Sequence, residues 1–325
     1  MENNSGLKWL SKDVPFMHAI APYCIRFYNP NSTEKNVEDR YAKLDKLGSF
    51  DAFQLLANFA DKLDDKFIIV ESTKQVYRFK GMKVDAVKRQ VAGFFEVGSY
   101  GVKNDIIDIK TGNVDYKKTQ ENAEIIRHYI RFFLPAGFNE GIALLQTFKG
   151  AGVKTLLHGL LRDHFLKITK LNFQLNPLAY KKAFQTWEKA TAKEIKLTKF
   201  EGMSDITDQI KKLGHKEQQL IIKPPSSSTL GLFKDYLNPN SKEFQVVEFL
   251  SPMCAHVKLV VELDRKRRTF TIGRPVDEQV CEIAIEEDEV DFIAGNPVAK
   301  SLHKWAREIL QDLADSLYPK MGVKV

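Results

Sequence analysis

Between Lys66 and Phe148 the chain falls into short runs rich in aromatic and β-branched residues: "KFIIVE", "QVYRFKG", "RQVAGFFEVG", "EIIRHYIRFFLP" and "GIALLQTF". Gly and Asn breaks separate them, and such a series favours an antiparallel sheet over a helical bundle. A helix precedes it. In "GSFDAFQLLANFADKLD", residues 48 to 64, Phe53, Leu56, Phe59 and Leu63 recur at helical spacing and Asp51 stands near the start.

After residue 148 the pattern changes. "KGAG" reads as a turn and "VKTLLHGLLRDHF" as a helix, with Val153, Leu156, Leu157, Leu160, Leu161 and Phe165 on its apolar face. Lys154, His158 and Arg162, four residues apart, make one edge of it basic. Beyond "NFQLNP", Asn176 and Pro177 predict the start of a second helix through "LAYKKAFQTWEKATAKE", followed by a strand "IKLTKF". The run "KPPSSSTLG", 223 to 231, is the best linker or hinge candidate. "AHVKLVVEL" and "RTFTIG" predict a hairpin whose tip is Asp264, Arg265, Lys266, Arg267 and Arg268. The last helix is predicted with Asn296 as cap, Pro297 in the first turn, and a stripe of Val298, Leu302, Trp305, Ile309, Leu313 and Leu317. Such a stripe belongs against a sheet or a second subunit. The fold class expected is α+β: an N-terminal part, 1–170, with an antiparallel sheet and helices, and a smaller α+β part, 171–325, ending in the long helix.

Composition excludes several classes. With 325 residues, 43% hydrophobic and 28% charged, the chain can bury a core. It contains no run of roughly 20 apolar residues, and "MENNSGLKWLSKDVPF" lacks a secretory signal's apolar run. A cytoplasmic protein without direct membrane insertion is therefore expected. Cys24, Cys254 and Cys281 are an odd number without a CxxC pair, which predicts reduced thiols. Cys254, His256 and Cys281 match no zinc spacing, so no metal and no cofactor is expected.

Charge is uneven. Residues 151 to 200 hold 10 Lys and Arg against 3 Asp and Glu, a surplus equal to the net +7 of the whole chain. A concentrated surplus suits a polyanion better than a diffuse one, although a solvated helical face has the same composition.

Two motifs could carry chemistry. In "NDIIDIKTGNVDYKK", 104 to 118, Asp108 and Lys110 stand in the Asp-x-Lys order of metal-dependent nucleases of the PD-(D/E)xK type, with Glu96 or Asp85 as the second carboxylate. The same letters spell a β-hairpin around "KTGN". "FKGAGVKT", 148 to 155, is too short for a nucleotide-binding P-loop. Its glycines before a helix still leave amides for a DNA phosphate, flanked by Lys149 and Lys154. No histidine spacing or nucleophile elbow points to hydrolase chemistry.

The succession "GSYGVKNDIIDIKTGNVDYKK", "YIRFFLPAGFNEGIALLQTFKGAGVKTLL", "TFTIGRPVDEQVCEIAI" and "GNPVAKSLHKWAREILQDL" resembles the RexA-like phage-exclusion (abortive infection) proteins over roughly residues 75 to 170 and 255 to 318. The resemblance implies a cytosolic, homodimeric, two-part α+β protein that binds DNA without strong sequence preference and senses infection beside a membrane or effector partner protein. It carries over no catalytic residue.

The leading expectation is an antiphage defence protein, a sensor or regulator, that binds DNA through phosphate contacts. Lys149, Lys154, Arg162, Lys167, Lys170, Lys181, Lys182 and Lys189 would supply them, helped by Arg265, Lys266, Arg267 and Arg268. One alternative is the nuclease, with Glu96, Asp108 and Lys110 as its catalytic set. The other is a protein-interaction subunit of a defence complex that docks a partner on the helix at 297 to 318.

Overall fold

The aromatic and β-branched runs do pair as antiparallel neighbours. The computed structural model describes residues 18–149, 151–178, 184–198, 219–254, 256–273, 282–319 and 325. Six strands form the first half of a sheet: β1 (His18–Tyr28), β2 (Ile68–Val70), β3 (Gln75–Asp85), β4 (Gln90–Ser99), and, after an arm described below, β7 (Glu124–Phe133) and β8 (Gly141–Phe148). Their order is β1-β8-β7-β4-β3-β2. The arm is a separate two-stranded hairpin, β5 (Asn104–Ile107) with β6 (Val114–Lys118).

β9 (Ala151–Gly152) extends the end of β8, and β10 (Asn172–Pro177) pairs with the second half of β1, Tyr23 facing Pro177 and Tyr28 facing Asn172. The second half of the sheet contains β11 (Thr191–Thr198), β12 (Gln219–Ile222), β13 (His256–Leu263), β14 (Lys266–Ile272) and β15 (Glu282–Ala284), in the order β12-β11-β13-β14-β15. β15 pairs with Ala19 and Ile20 of β1, which fuses the halves. Among the described residues the fold is α+β, with one sheet of thirteen strands. The division expected at residue 170 therefore runs through a continuous sheet.

Helices cover both faces. They are α1 (Ala52–Lys62), α2 (Lys154–Thr169), a single turn α3 (Phe233–Tyr236), α4 (Lys242–Leu250) and α5 (Ala299–Leu317). Side chains alternate across a strand, so each strand feeds two cores. Phe95 of β4 and Ile130 and Phe132 of β7 meet α1 and α2 on one face. Phe94, Tyr129 and Phe133 meet Leu302, Ile309 and Leu313 of α5 on the other. Fully buried Phe27 packs on Phe165 of α2 and Phe173 of β10, with ring centroids 4.8 and 5.5 Å away. Each such phenylalanine contributes about 1.5–3 kcal/mol of burial.

Several elements depart from expectation. The helix predicted from Asn176 is absent among the described residues of that stretch: 172–177 is strand, Gln185–Trp187 is one 3-10 turn, and β11 already starts at Thr191. Phe173 and Leu175 alternate inward there, a period of two hidden in a six-residue run. Asn296 and Pro297 form a short strand, β17 (Asn296–Pro297), against β16 (Phe292–Ile293), and Val298 occupies the N-cap of α5. The apolar stripe of α5 is buried against the sheet, which removes it as the partner-docking surface. Residues 223–231 form an exposed loop between β12 and α3, anchored where Leu230 donates to the Ala192 carbonyl and Ala192 to the Gly231 carbonyl, both at 2.9 Å.

Candidate nucleic-acid interface

The basic helix forms as predicted and runs to Thr169. Val153, Leu157, Leu161 and Phe165 bury one face of α2, and Lys170 closes it in the left-handed conformation (φ 61°). Arg162 and Lys167 are exposed, about 140° apart around the helix at 100° per residue, while Lys154 is half-buried beside the apolar face. Arg162 is bound to its neighbour Asp163 at 2.9 Å, an exposed pair worth less than about 1 kcal/mol that a phosphate can displace. Lys149 follows β8 in a turn at φ 52°, with its ammonium 5.4 Å from the Phe148 ring centroid. Lys181 and Lys182 lie outside the described residues, as does Gly150. Lys189 is exposed beside the Gln185–Trp187 turn, on the second half of the sheet and away from α2.

The N-terminus of α2 is open. Val153 makes no side-chain cap, and the first intrahelical bond runs from Leu157 N–H to the Val153 carbonyl at 2.9 Å, so the N–H groups of Lys154, Thr155 and Leu156 precede it. These amides border a cleft of about 840 Å³ between α2 and the ends of β2, β3, β4 and β7. Glu124, Ile126 and His128 alternate along β7 and reach the cleft from the sheet. Lys118, at the base of the arm, lines it too, with Arg162 and its paired carboxylate Asp163 of α2.

His128 is 96% buried yet lines this cleft. Its Nδ1 donates to the Gln146 carbonyl at 3.0 Å, which fixes the neutral ring with Nε2 as acceptor. Burial holds its pKa below the ordinary value, partly offset by the bond to Gln146. His18, also buried, accepts from Gln146 Nε2 at 2.8 Å on Nδ1 and donates through Nε2 to the Gly295 carbonyl at 3.0 Å, so it is satisfied as a core histidine. Sequence reasoning missed His128, Lys118, Thr155 and Gly159, which the fold gathers from three segments.

The nuclease residues are not assembled. β5 ends at Ile107, and Asp108 sits in the turn, where Oδ1 accepts from the backbone N–H of Lys110 at 2.7 Å and of Thr111 at 2.9 Å. The Thr111 and Lys110 amides hold its carboxyl below the usual range. Asp108 and Lys110 therefore do not share a strand face. Glu96 lies on the α5 side of the sheet, clamped by Arg78 at 2.6 Å and Arg127 at 3.2 Å, and Asp85 accepts from Lys88 N–H in a turn. Among the described residues no group of three His, Cys, Asp or Glu is placed to hold a metal ion.

The basic hairpin tip is smaller than predicted. Asp264 and Arg265, at φ 49° and 65°, form a two-residue turn, and Lys266 already pairs with Leu263. Arg267 bonds Glu262 at 3.0 Å on the exposed face. Arg268 points the other way and is 3% exposed, bound to Glu289, with Glu308 and Asp312 at 3.9 Å and the Trp187 and Trp305 rings each 5.8 Å away. It is a core residue and cannot touch phosphate.

Comparison with protein-family models, with curated proteins and with solved structures finds no match for this chain. Among the described residues, no helix is long and apolar enough to cross a membrane.

Proposed function

We propose that the protein binds DNA through phosphate contacts with little sequence specificity, and acts as a cytoplasmic sensor or regulator in antiphage defence. The observation that carries the binding is the set of cations along α2: exposed Arg162 and Lys167, the exposed C-cap Lys170 and half-buried Lys154 in the first turn, with unbonded amides at the positive end. Backbone amides and long cations grip phosphate oxygens without reading base edges, so affinity without sequence preference follows. The defence role is supported by the resemblance to phage-exclusion proteins alone. A gel shift with plasmid and short duplex DNA, with and without Mg²⁺, tests the reading. Salt-sensitive retention of intact DNA is expected, and no retention at low salt contradicts it.

The arm favours a second reading, a protein-interaction subunit. Ile106, Ile107, Val114 and Tyr116 are about half exposed, and Ile109 is 92% exposed, on a hairpin outside the main sheet. An apolar projection of this kind is buried by association. A second copy of the chain is the occupant the homodimer expectation supplies. Light scattering should give a dimeric mass, and a monomer at every concentration contradicts it.

A further inference from the structure

The cleft at the start of α2 has features that phosphate binding along the helix does not use. Gly159 lines it from the middle of α2, where glycine is the least favourable residue short of proline, and a Cβ built there meets nothing within 4 Å. Neither packing nor a left-handed backbone requires that glycine. It keeps the cleft wall low, as a close-lying ligand would need.

The cleft is also polarised. The unbonded amides stand at the start of α2, and Lys118 and Arg162 line the cleft together with two carboxylates, Glu124 and Asp163, of which Asp163 is paired with Arg162 at 2.9 Å. The floor is apolar, formed by Val97 of β4, Ile126 of β7 and Leu156 and Leu160 of α2. Beside it, on the same face of β7, His128 Nε2 and the Glu124 carboxylate are acceptors only, as is Asp163 of α2. A ligand complementary to all three regions has an anionic group, a flat apolar body and at least one hydrogen-bond donor. The volume, about 840 Å³, lies within the range of small-molecule sites and accommodates one nucleotide with water.

We propose that this cleft binds a single nucleoside monophosphate, with its phosphate on the α2 N-terminus and its base on the apolar floor, donating to His128 Nε2. The nucleotide is either free or the unpaired terminal unit of a DNA strand. The inference rests on the DNA reading for the second source only, and the two separate by experiment.

The test is calorimetry with deoxyadenosine 5′-monophosphate, then with duplexes that are blunt or carry a single-stranded overhang. Two variants report on the cleft without threatening the fold. Gly159→Trp removes an unfavourable helix residue and fills the cleft. Thr155→Glu places a carboxylate in the first turn, which favours the helix and repels phosphate. Wild-type protein is expected to bind the free nucleotide saturably, or to bind overhang DNA at least tenfold more tightly than blunt DNA. Both variants should abolish that binding, and Gly159→Trp, away from the amides that the DNA reading uses, should keep salt-dependent retention of blunt duplex. Free nucleotide binding without any DNA binding overturns the DNA reading and upholds the cleft. Blunt and overhang DNA bound equally, with no nucleotide binding and no effect of either variant, overturns the cleft and leaves the DNA reading standing. Nucleotide binding unchanged in both variants also overturns it.

Discussion

Replacing Arg268 by Met should be among the most damaging single changes in the second half of the sheet. The guanidinium is 3% exposed on β14, opposite Val261, between two indole rings, and it faces Glu289, Glu308 and Asp312. Met fills much of the volume but leaves those carboxylates without it. Removing one member of a buried ion cluster costs about 3–5 kcal/mol, and Glu308, with a side chain 45% exposed, argues for the lower end. Arg267→Met, one residue away, loses an exposed pair with Glu262 and should cost less than about 1 kcal/mol. Urea denaturation of both variants at neutral pH measures the difference. The deficit of Arg268→Met should shrink in acid. Burial raises the Asp312 pKa and the Arg268 charge opposes it, so without Arg268 the folded state binds that proton at still higher pH. Stability linked to a raised carboxyl is present at low pH and lost as pH rises through its folded pKa. Equal stabilities for the two variants, with weakened DNA binding in Arg268→Met, would refute this account and return Arg268 to the surface.

Two further outcomes follow from the structure. His303 accepts from the Tyr129 hydroxyl at 3.1 Å on Nδ1, and burial, then Lys83, Arg131 and Arg307, lower its pKa to about 4. An unfolded histidine takes up its proton at higher pH, so this group's stabilisation is present above about pH 6.5 and is lost as pH falls toward 4, on the order of 2–3 kcal/mol. His303→Gln should flatten that part of the stability profile, and an unchanged acid slope contradicts the assignment. For the arm, Ile107→Lys with Ile109→Lys should convert a dimer to a monomer in light scattering with little change in melting temperature, since neither side chain packs on the core. A dimer that persists moves the interface elsewhere.

Much of the fold is legible in local pattern. Asp51 caps α1 through bonds to Phe53 and Gln54 N–H, and the α5 stripe is buried as its spacing requires. The failures have physical causes. "RKRR" reads as a cluster because four cations are contiguous, but the last three lie on a strand whose faces alternate, so Arg267 is exposed and Arg268 is core. Asp108 reads as strand by alternation with isoleucines, yet a short acceptor one residue past a strand end is captured by turn amides. "NFQLNP" reads as a helix start from its Asn-Pro, while long-range pairing with β1 decides its state. The cleft could not be read at all. His128 and Thr155 lie 27 positions apart, and only sheet topology brings β7, the arm base and the α2 N-terminus together.

The most direct test of DNA binding through α2 is the salt dependence of duplex affinity, measured by fluorescence anisotropy for the wild type and for a variant with Lys154, Arg162, Lys167 and Lys170 all changed to Ala. Each neutralised phosphate contributes about 0.9 to the slope of log K against log salt. The variant should bind more weakly and with a slope shallower by roughly 3–4. Equal slopes for the two proteins would contradict the assignment of phosphate contacts to this helix.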